Sequence, residues 1–247
     1  MRRISEEKEL PMFLEVNDIH VSYGDIHAVC GVSFHLEKGE LISIIGANGA
    51  GKSTILNAVM GIFPPQQGKI TFNGQDITTM SSHQRARIGI RMVPERARVF
   101  PRLTVYENLL AGLYRLRDKL PIEERISSMY TVFPILEERK SQLANTLSGG
   151  EQQQLSIARA LVSNPELLLV DEVSMGLMPK LVEQVFEILE QLNKEQGLTI
   201  LLVEQNAIAS LAISSRGYVL ETGTCALQGS AQDLMDNPRV KEVYLGH

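Results

Sequence analysis

The sequence lacks tryptophan, has only two cysteines and contains no long apolar run. Cys30 and Cys225 lie too far apart in the chain to suggest a disulfide scaffold or a zinc cluster, so a reducing cytosol is the expected environment. The longest apolar runs are Leu41–Ile45, Leu167–Val170 and Thr199–Val203, far short of the roughly 20 residues that a membrane-spanning helix needs. We therefore expect neither a disulfide-rich secreted protein nor a membrane-spanning segment.

An excess of basic residues is also missing, because 24 lysines and arginines face 29 acidic residues and the net charge is -5. This balance leaves no general basic surface, so we expect no nucleic-acid partner. Residues 1–12 are charged but have no apolar stretch, which excludes a secretory signal and predicts a solvated tail. With 44% hydrophobic and 21% charged residues, the 247 residues are typical of one large globular domain, with or without a small inserted lobe.

Strand and helix patterns alternate along most of the chain. Apolar runs and period-two alternation predict strands at Phe13–Tyr23, Val32–Leu36, Leu41–Ile45, Lys69–Phe72, Ile88–Val93, Leu167–Val170 and Thr199–Val203, and shorter ones near Tyr218–Leu220 and Cys225–Leu227. Helices are predicted at Lys52–Met60, which follows a buried strand, and at Pro179–Glu195, which lies between two buried strands. This alternation predicts an α/β domain with a mainly parallel sheet.

A helical pattern replaces the alternation in the middle of the chain. Helices are predicted there at Thr104–Leu116, Ile122–Phe133 and Gly149–Val162. We therefore predict a helical subdomain at about 95–163, inserted into a domain that spans 13–247.

The segment Gly46–Ser53 matches the phosphate-binding pattern GxxxxGK[ST], and it follows a buried strand and opens a helix, as that pattern requires. Glycines allow backbone N–H groups to turn inward around phosphate oxygens, and the helix start adds positive partial charge. Lys52 is expected to reach the β- and γ-phosphates, and the Ser53 hydroxyl to bind Mg²⁺. The nucleotide-binding residues predicted in this region are Gly46, Asn48, Gly49, Ala50, Gly51, Lys52, Ser53 and Thr54.

Two carboxylates follow the buried strand that begins at Leu167. Asp171 is expected to hold Mg²⁺ through water, and Glu172 to orient and polarise the water that attacks a phosphate. An acidic pair in this position can also simply cap a helix, so the functional interpretation depends on the phosphate-binding loop upstream.

The segment Leu147–Gln152, with sequence LSGGEQ, supplies a second candidate anion site. Ser148 and the N–H groups of Gly149 and Gly150 lie at a predicted helix start, where they suit a γ-phosphate. Together with the phosphate-binding loop and the acidic pair, this segment resembles the LSGGQ signature of the ATP-binding cassette (ABC) ATPases, with Glu151 at the fifth position. The resemblance extends from about residue 13 to residue 246.

The resemblance implies an α/β P-loop NTPase of the RecA-like type. Its mainly parallel sheet core would carry an antiparallel β lobe and the inserted helical subdomain. The implied ligands are ATP and Mg²⁺, and the implied activity is ATP hydrolysis. In this family the signature, here Ser148, Gly149, Gly150 and Glu151, faces the phosphate-binding loop of a partner subunit. Two nucleotides are therefore sandwiched between two chains.

Other positions match the family or depart from it. Tyr23 matches the aromatic residue that stacks on adenine, although it also fits a half-buried strand tyrosine. Glu95 takes the place of a glutamine that contributes to the metal site, and Gln205 takes the place of the switch histidine. In the loop after Asp171-Glu172, Met178 replaces the usual aspartate, which puts a polar contact across the dimer in doubt.

Three further segments resemble one subgroup of the family, at Val93–Leu109, Leu202–Ala207 and Gly217–Gly223. They are similar to the second ATP-binding subunit of bacterial branched-chain amino acid importers, the LivF type. This resemblance implies a second ATP-binding subunit, identical or related, together with transmembrane permease subunits and, indirectly, a periplasmic solute-binding protein. It also implies a peripheral position on the cytoplasmic face of the bacterial inner membrane. The segment Arg96–Leu103 would carry motion to the permease, although it also fits a solvated basic loop.

Other functions fit parts of the same pattern. Close relatives of the subgroup serve urea and short-chain amides, whereas an export or lipopolysaccharide-type cassette would predict histidine at position 205. A soluble ABC ATPase that works on DNA or ribosomes usually has a coiled-coil insert or a second cassette, and this sequence has neither. A P-loop kinase would not account for Leu147–Gln152.

Overall fold

The computed structural model describes residues 12–114 and 121–245. Most of the predicted tail at 1–12 lies outside these ranges, and Met12 is exposed. The last two residues of the helix predicted at Thr104–Leu116 also lie outside the described residues, as do Gly246 and His247.

The strands and helices are numbered in chain order. The strands are β1 (Leu14–Tyr23), β2 (Ile26–Leu36), β3 (Leu41–Gly46), β4 (Gln67–Phe72), β5 (Gln75–Asp76), β6 (Ile90–Val93), β7 (Leu167–Asp171), β8 (Thr199–Glu204), β9 (Arg216–Glu221) and β10 (Thr224–Ser230). The helices are α1 (Lys52–Met60), α2 (Ser82–Arg87), α3 (Val105–Gly112), α4 (Ile122–Val132), α5 (Pro134–Glu138), α6 (Gly149–Leu161), α7 (Pro179–Gln196), α8 (Ala207–Ala212), α9 (Ala231–Asp236) and α10 (Pro238–Val240).

The strands form two sheets. One is antiparallel, with strand order β2-β1-β4-β5, and the other has order β10-β9-β3-β8-β7-β6. In the second sheet all neighbouring pairs are parallel except β9 and β10. Every residue of β3, β7 and β8 is buried, because each of these strands has a neighbour on both sides and side chains covering both faces. The predicted α/β fold, with a mainly parallel core and an antiparallel lobe, is confirmed.

Side chains of the parallel strands alternate between two apolar cores. Leu167 and Leu169 pack with α1 and the antiparallel sheet, whereas Leu168 and Val170 pack with α3, α4, α6 and α7. A strand that supplies both cores must be apolar at successive positions, which explains the unbroken run in the sequence.

The helices α3 to α6 lie between β6 and β7 in the chain. Residues 95–104 precede them without helical structure, so the helical part begins later than the sequence pattern indicates. Thr104 caps α3, because its hydroxyl accepts the Glu107 N–H while the Glu107 carboxylate accepts the Thr104 N–H. That these helices form a separate subdomain stays a prediction.

Arg85 of α2 joins two helices through a set of buried hydrogen bonds. Its guanidinium donates to the carbonyls of Ala58 and Val59, at 2.6 and 2.8 Å, near the carboxyl end of α1. It also donates to the carbonyls of Met80 and Thr78, at 3.0 and 2.9 Å. Burial lowers the pKa of Arg85 to about 10. The helix that begins at the phosphate-binding loop is therefore anchored at its far end by a charged side chain.

Candidate functional site

The phosphate-binding loop connects β3 to α1. Gly49 and Gly51 have φ angles of +80° and +104°, in the region that glycine adopts without strain. A Cβ on Gly51 would lie 2.5 Å from the Ala28 carbonyl oxygen, and one on Gly46 would lie 2.5 Å from the Leu220 carbonyl oxygen. The loop is thus held close to β2 and β9, while its tip at residues 47–49 remains exposed.

Lys52 lies within this loop and is almost fully buried, with 3% of its surface exposed. Its Nζ donates to the carbonyls of Gly46 and Ala47, at 2.8 and 3.0 Å. The same Nζ lies 3.0 Å from Oε1 of Glu172. The predicted phosphate-binding lysine and the predicted base are therefore ion-paired in this structure.

Ser53 and Asp171 also meet, although 118 residues separate them in sequence. The Ser53 hydroxyl donates to Oδ1 of Asp171 at 2.8 Å. Burial raises the pKa of Asp171, the Ser53 bond lowers it, and the charges of Glu172 and Glu95 raise it further. Two oxygen donors suited to a hard cation thus lie side by side in a site of excess negative charge.

Glu172 follows β7 with a φ of +41°, which is unusual for a residue with a Cβ. Its N–H donates to the Val203 carbonyl at 3.0 Å, and its own carbonyl accepts the Met175 N–H at 3.2 Å. The backbone is therefore fixed on both sides of a strained residue, and the carboxylate turns toward Lys52. Strain of this kind is common where a side chain is held for a function.

Gln205 lies directly after β8 and is exposed. It lines a cavity of about 270 Å³ together with Glu172, Ser174, Met175, Glu204 and Asn206. The structure thus brings Gln205 to the same cavity as the predicted base.

Glu95 follows β6 and pairs with Arg96 at 2.9 Å. Its carboxylate is close enough to Asp171 to raise the pKa of that residue. Arg96 and Ala97 have φ angles of +59° and +55°. The chain therefore turns sharply directly after Glu95.

The buried side chain of Asn108 holds the next part of this loop. Its amide donates to the carbonyls of Phe100, Leu103 and Thr104, and its oxygen accepts the Phe100 N–H. Arg159 of α6 donates to the Arg98 carbonyl at 2.8 Å and lies 4.9 Å from the centre of the Phe100 ring. Two residues that the sequence does not single out thus connect the loop to α3 and α6.

Tyr23 ends β1 and is 38% exposed. Its hydroxyl donates to the Thr54 hydroxyl at 3.5 Å, and its ring contacts the Phe63 ring edge-to-face at a centroid distance of 5.0 Å. Tyr23 therefore lies beside the start of α1, with Phe63 as an aromatic neighbour that the sequence reading did not name.

The signature segment forms the amino end of α6. The Ser148 hydroxyl accepts the Glu151 N–H at 3.3 Å, and the Glu151 carboxylate accepts the Ser148 N–H at 2.7 Å. Gly149 is exposed with open space around it, whereas a Cβ on Gly150 would lie 2.7 Å from a methyl group of Leu181. Glu151 thus caps its own helix, and Gly149 leaves backbone exposed at the helix start.

Glu204 is a charged residue of the site that sequence reasoning missed. It ends β8 fully buried, and both of its oxygens accept hydrogen bonds from Ser174. The available signal was an acidic residue at the end of an apolar strand, as at Asp171. The resemblance assigned a role to the adjacent Gln205 and none to Glu204.

The comparisons with known proteins agree with this geometry. The pattern of the ABC transporter family matches residues 29–175. The chain is 45% identical to the high-affinity branched-chain amino acid transport ATP-binding protein BraG of Pseudomonas aeruginosa, over 94% of this chain and 99% of that protein. It is 36% identical to the probable branched-chain amino acid transport ATP-binding protein LivF of Archaeoglobus fulgidus, over 92% and 96% of the two chains. It is also 36% identical to the lipopolysaccharide export ATP-binding protein LptB of Haemophilus influenzae, over 94% and 97%.

Solved structures give the same result. An ATP-binding cassette in a dimeric post-hydrolysis state, bound to ADP and Pi, superimposes with a TM-score of 0.79 at 27% identity, over 88% of this chain and 98% of that one. Among the helices of residues 12–114 and 121–245, none has the length and apolar character to cross a bilayer. The chain therefore belongs to the ABC transporter family, as an ATP-binding subunit that hydrolyses ATP and is similar to the LivF type.

Proposed function

We propose that this chain powers the import of branched-chain amino acids by binding and hydrolysing ATP at the site built around Lys52. The observation that carries the proposal is the 45% identity to BraG across nearly the full length of both chains. Gln205 supports it, because a lipopolysaccharide-type cassette would be expected to have histidine there. Import of urea or a short-chain amide remains the second candidate, since the cassette need not contact the solute.

At this site, ATP phosphates would lie in the loop that ends at Ser53. The Lys52 ammonium would exchange its contact with Glu172 for phosphate oxygens, since a buried charge requires a partner. Tyr23, beside Thr54, would stack on adenine.

The site would also hold Mg²⁺. The side-by-side oxygens of Ser53 and Asp171, with Glu95 nearby, suit this ion. Burial and the charges of Glu172 and Glu95 raise the pKa of Asp171, and an added cation would favour its ionised form. The described residues contain no group of three or more His, Cys, Asp or Glu that could hold a metal. The oxygens of Ser53, Asp171 and Glu95 are compatible with Mg²⁺, which usually takes one or two carboxylates together with substrate phosphates and water. When bound, the ion would neutralise phosphate charge.

Glu172 would accept the proton of the attacking water. Once Lys52 turns to phosphate, the Glu172 carboxylate is free to orient water in the cavity that it shares with Gln205. Gln205 would donate an amide hydrogen bond to the γ-phosphate.

The first test concerns this assignment. Glu172→Gln should bind ATP normally but lose turnover, because an amide cannot accept the proton, and an ATP-bound dimer should accumulate in size-exclusion chromatography. Glu187→Gln, an exposed carboxylate on α7, is the matched control and should behave as the wild type. Normal hydrolysis by Glu172→Gln would show that another group is the base.

The signature segment would serve the nucleotide of a second ATP-binding subunit, identical or related. Gly149 leaves backbone exposed at the start of α6, as an anion site between two chains requires. Ser148, Gly150 and Glu151 would shape this helix start, with Glu151 acting through the cap rather than by direct contact.

The chain would act at the cytoplasmic face of the bacterial inner membrane, bound to permease subunits that receive solute from a periplasmic binding protein. The loop Arg96–Leu103 offers an exposed ring at Phe100 and exposed guanidiniums at Arg98 and Arg102 for this contact. Its anchoring by Asn108 would transmit a change at Glu95 as a movement of the whole loop.

The second test concerns the solute. The gene should be deleted, and uptake of labelled leucine, isoleucine, valine and urea compared with that of a sugar as control. Loss of branched-chain amino acid uptake, restored by the wild-type gene but not by Glu172→Gln, would support the proposal. Loss of urea uptake alone would transfer the assignment to the second candidate.

A further inference from the structure

Glu204 is a buried carboxylate for which the steps proposed above have no use. It is the last residue of β8, and 0% of its surface is exposed. A carboxylate is costly to bury unless hydrogen bonds compensate for the lost water. The hydrogen bonds to the Glu204 carboxylate therefore indicate its role.

Two hydrogen bonds reach this carboxylate, both from Ser174 in the turn after β7. Oε1 accepts the Ser174 N–H at 3.0 Å, and Oε2 accepts the Ser174 hydroxyl at 2.7 Å. One side chain thus connects the turn after β7 to the end of β8.

These two segments carry the residues that the proposed function needs. Glu172 is two positions before Ser174, and Gln205 lies between Glu204 and Asn206. The backbone of Glu172 is held in its unusual φ by the Val203 carbonyl on one side and by Met175 on the other. Ser174 lies within this turn, so its attachment to Glu204 restrains the segment that aims the Glu172 carboxylate.

Both burial and the nearby charge of Glu172 disfavour an ionised carboxylate at position 204. Burial raises the pKa of Glu204, the Ser174 bonds lower it, and the charge of Glu172 raises it again. An apolar residue of similar size would avoid both penalties. It would also lose the link between the turn after β7 and the end of β8.

We propose that Glu204 is a positioning residue for ATP hydrolysis, which holds Glu172 and Gln205 in their working geometry through its two hydrogen bonds with Ser174. This inference rests on the proposed role of Glu172 as base. It predicts that weakening the link lowers the rate of the chemical step and leaves ATP binding nearly unchanged, because the hydrogen bonds of Ser174 go to Glu204, whereas Lys52 is held by the carbonyls of its own loop.

The test measures kcat and KM for ATP in the assembled transporter. Glu204→Gln should keep the shape but remove the charge that accepts the two Ser174 hydrogen bonds, and kcat should fall about 10- to 100-fold. KM should stay within roughly 2-fold, as expected for an interaction that matters in the transition state. Ser174→Ala should give a similar loss, and Ser174→Thr, which keeps the hydroxyl, should restore most of the rate.

The double variant Glu204→Gln with Ser174→Ala shows whether the two residues act together. If they do, its loss should be close to that of one single variant rather than the product of both. Glu40→Gln is the control, since Glu40 is a partly buried carboxylate that accepts hydrogen bonds from Arg216 away from the site. It should change thermal stability without changing kcat.

Several outcomes would overturn the proposal. They are an unchanged kcat in Glu204→Gln, a raised KM with normal kcat, or a double variant whose loss of kcat is the product of the losses in the single variants. If Glu204→Gln fails to fold, the comparison of Ser174→Ala with Ser174→Thr decides, because equal rates in those two would refute the link. Glu172→Gln is assayed in parallel. Full activity there refutes the assigned base, whereas its inactivity beside a normal Glu204→Gln refutes only the role of Glu204.

Discussion

The negative charge that surrounds Lys52 leads to a prediction about the rate of ATP hydrolysis. Glu172 pairs with this lysine, and the charges of Glu172 and Glu95 add to burial in raising the pKa of the neighbouring Asp171. Arg96 pairs with Glu95, but its side chain is 76% exposed and solvent screens its charge. The site therefore has more negative charge than one lysine can balance before phosphate enters.

The predicted perturbation is the double change Glu95→Gln with Gln205→His, which restores the residue types usual in the family. Removing the Glu95 charge reduces repulsion of phosphate and should lower the pKa of Asp171 toward its ordinary value. A histidine at position 205 would face the same cavity as Glu172 and could donate a charge-assisted bond. Such a bond contributes about 1.5–3 kcal/mol, which corresponds to roughly 10- to 150-fold in rate.

The assay is steady-state ATP turnover in the assembled transporter, so that each site has its true partner, with solute uptake measured in parallel. We expect faster turnover and looser coupling to uptake. Each single variant completes the cycle, and Glu138→Gln, an exposed carboxylate on α5, is the control for a general charge effect. A rate that stays the same or falls in the double variant would show that the glutamate and glutamine are matched to this site, and the charge argument would be refuted.

Three further results are expected. Lys52→Ala should weaken ATP binding at least about 10-fold in calorimetric titration, because it removes a charge-assisted phosphate contact, and unchanged affinity would contradict the placement of phosphate. Asp171→Asn should raise the free energy of unfolding of the nucleotide-free chain at neutral pH in urea denaturation, because a raised pKa in the folded state means that the ionised form destabilises it. This gain should disappear as the pH falls below the unfolded-state pKa, and a gain independent of pH would point to another cause. Arg85→Ala should destabilise the chain by about 3 kcal/mol or more, since four carbonyls lose a buried donor, and Arg85→Lys should recover only part of the loss.

Elements with strong local signals were predictable from the sequence. The helix Lys52–Met60 was predicted with the bounds that it has, because the phosphate-binding pattern marks its start and Gly61 ends it with a φ of +75°. The strands β7 and β8 each extend one residue beyond the predicted bounds, to Asp171 and Glu204. The apolar signal ends before the last paired residue, since that residue is a carboxylate.

Elements with weak local signals were missed. The six-residue helix α2 has little apolar periodicity, and its buried residue is Arg85, which a sequence pattern assigns to solvent. The carbonyls that satisfy Arg85 include two from α1, 26 and 27 residues earlier in the chain. Their position depends on how α1 packs, and the local sequence contains no trace of it.

The sequence by itself determined the fold class, the phosphate-binding loop and the two carboxylates that follow β7. Each of these depends on residue types at short spacing, which set backbone freedom, hydrogen bonding and burial locally. Only the tertiary structure decided that Lys52 pairs with Glu172 and that Glu204 joins the turn after β7 to the end of β8. Those contacts arise because parallel strands from distant parts of the chain end at the same edge of one sheet, and pairing across that edge has no local signature.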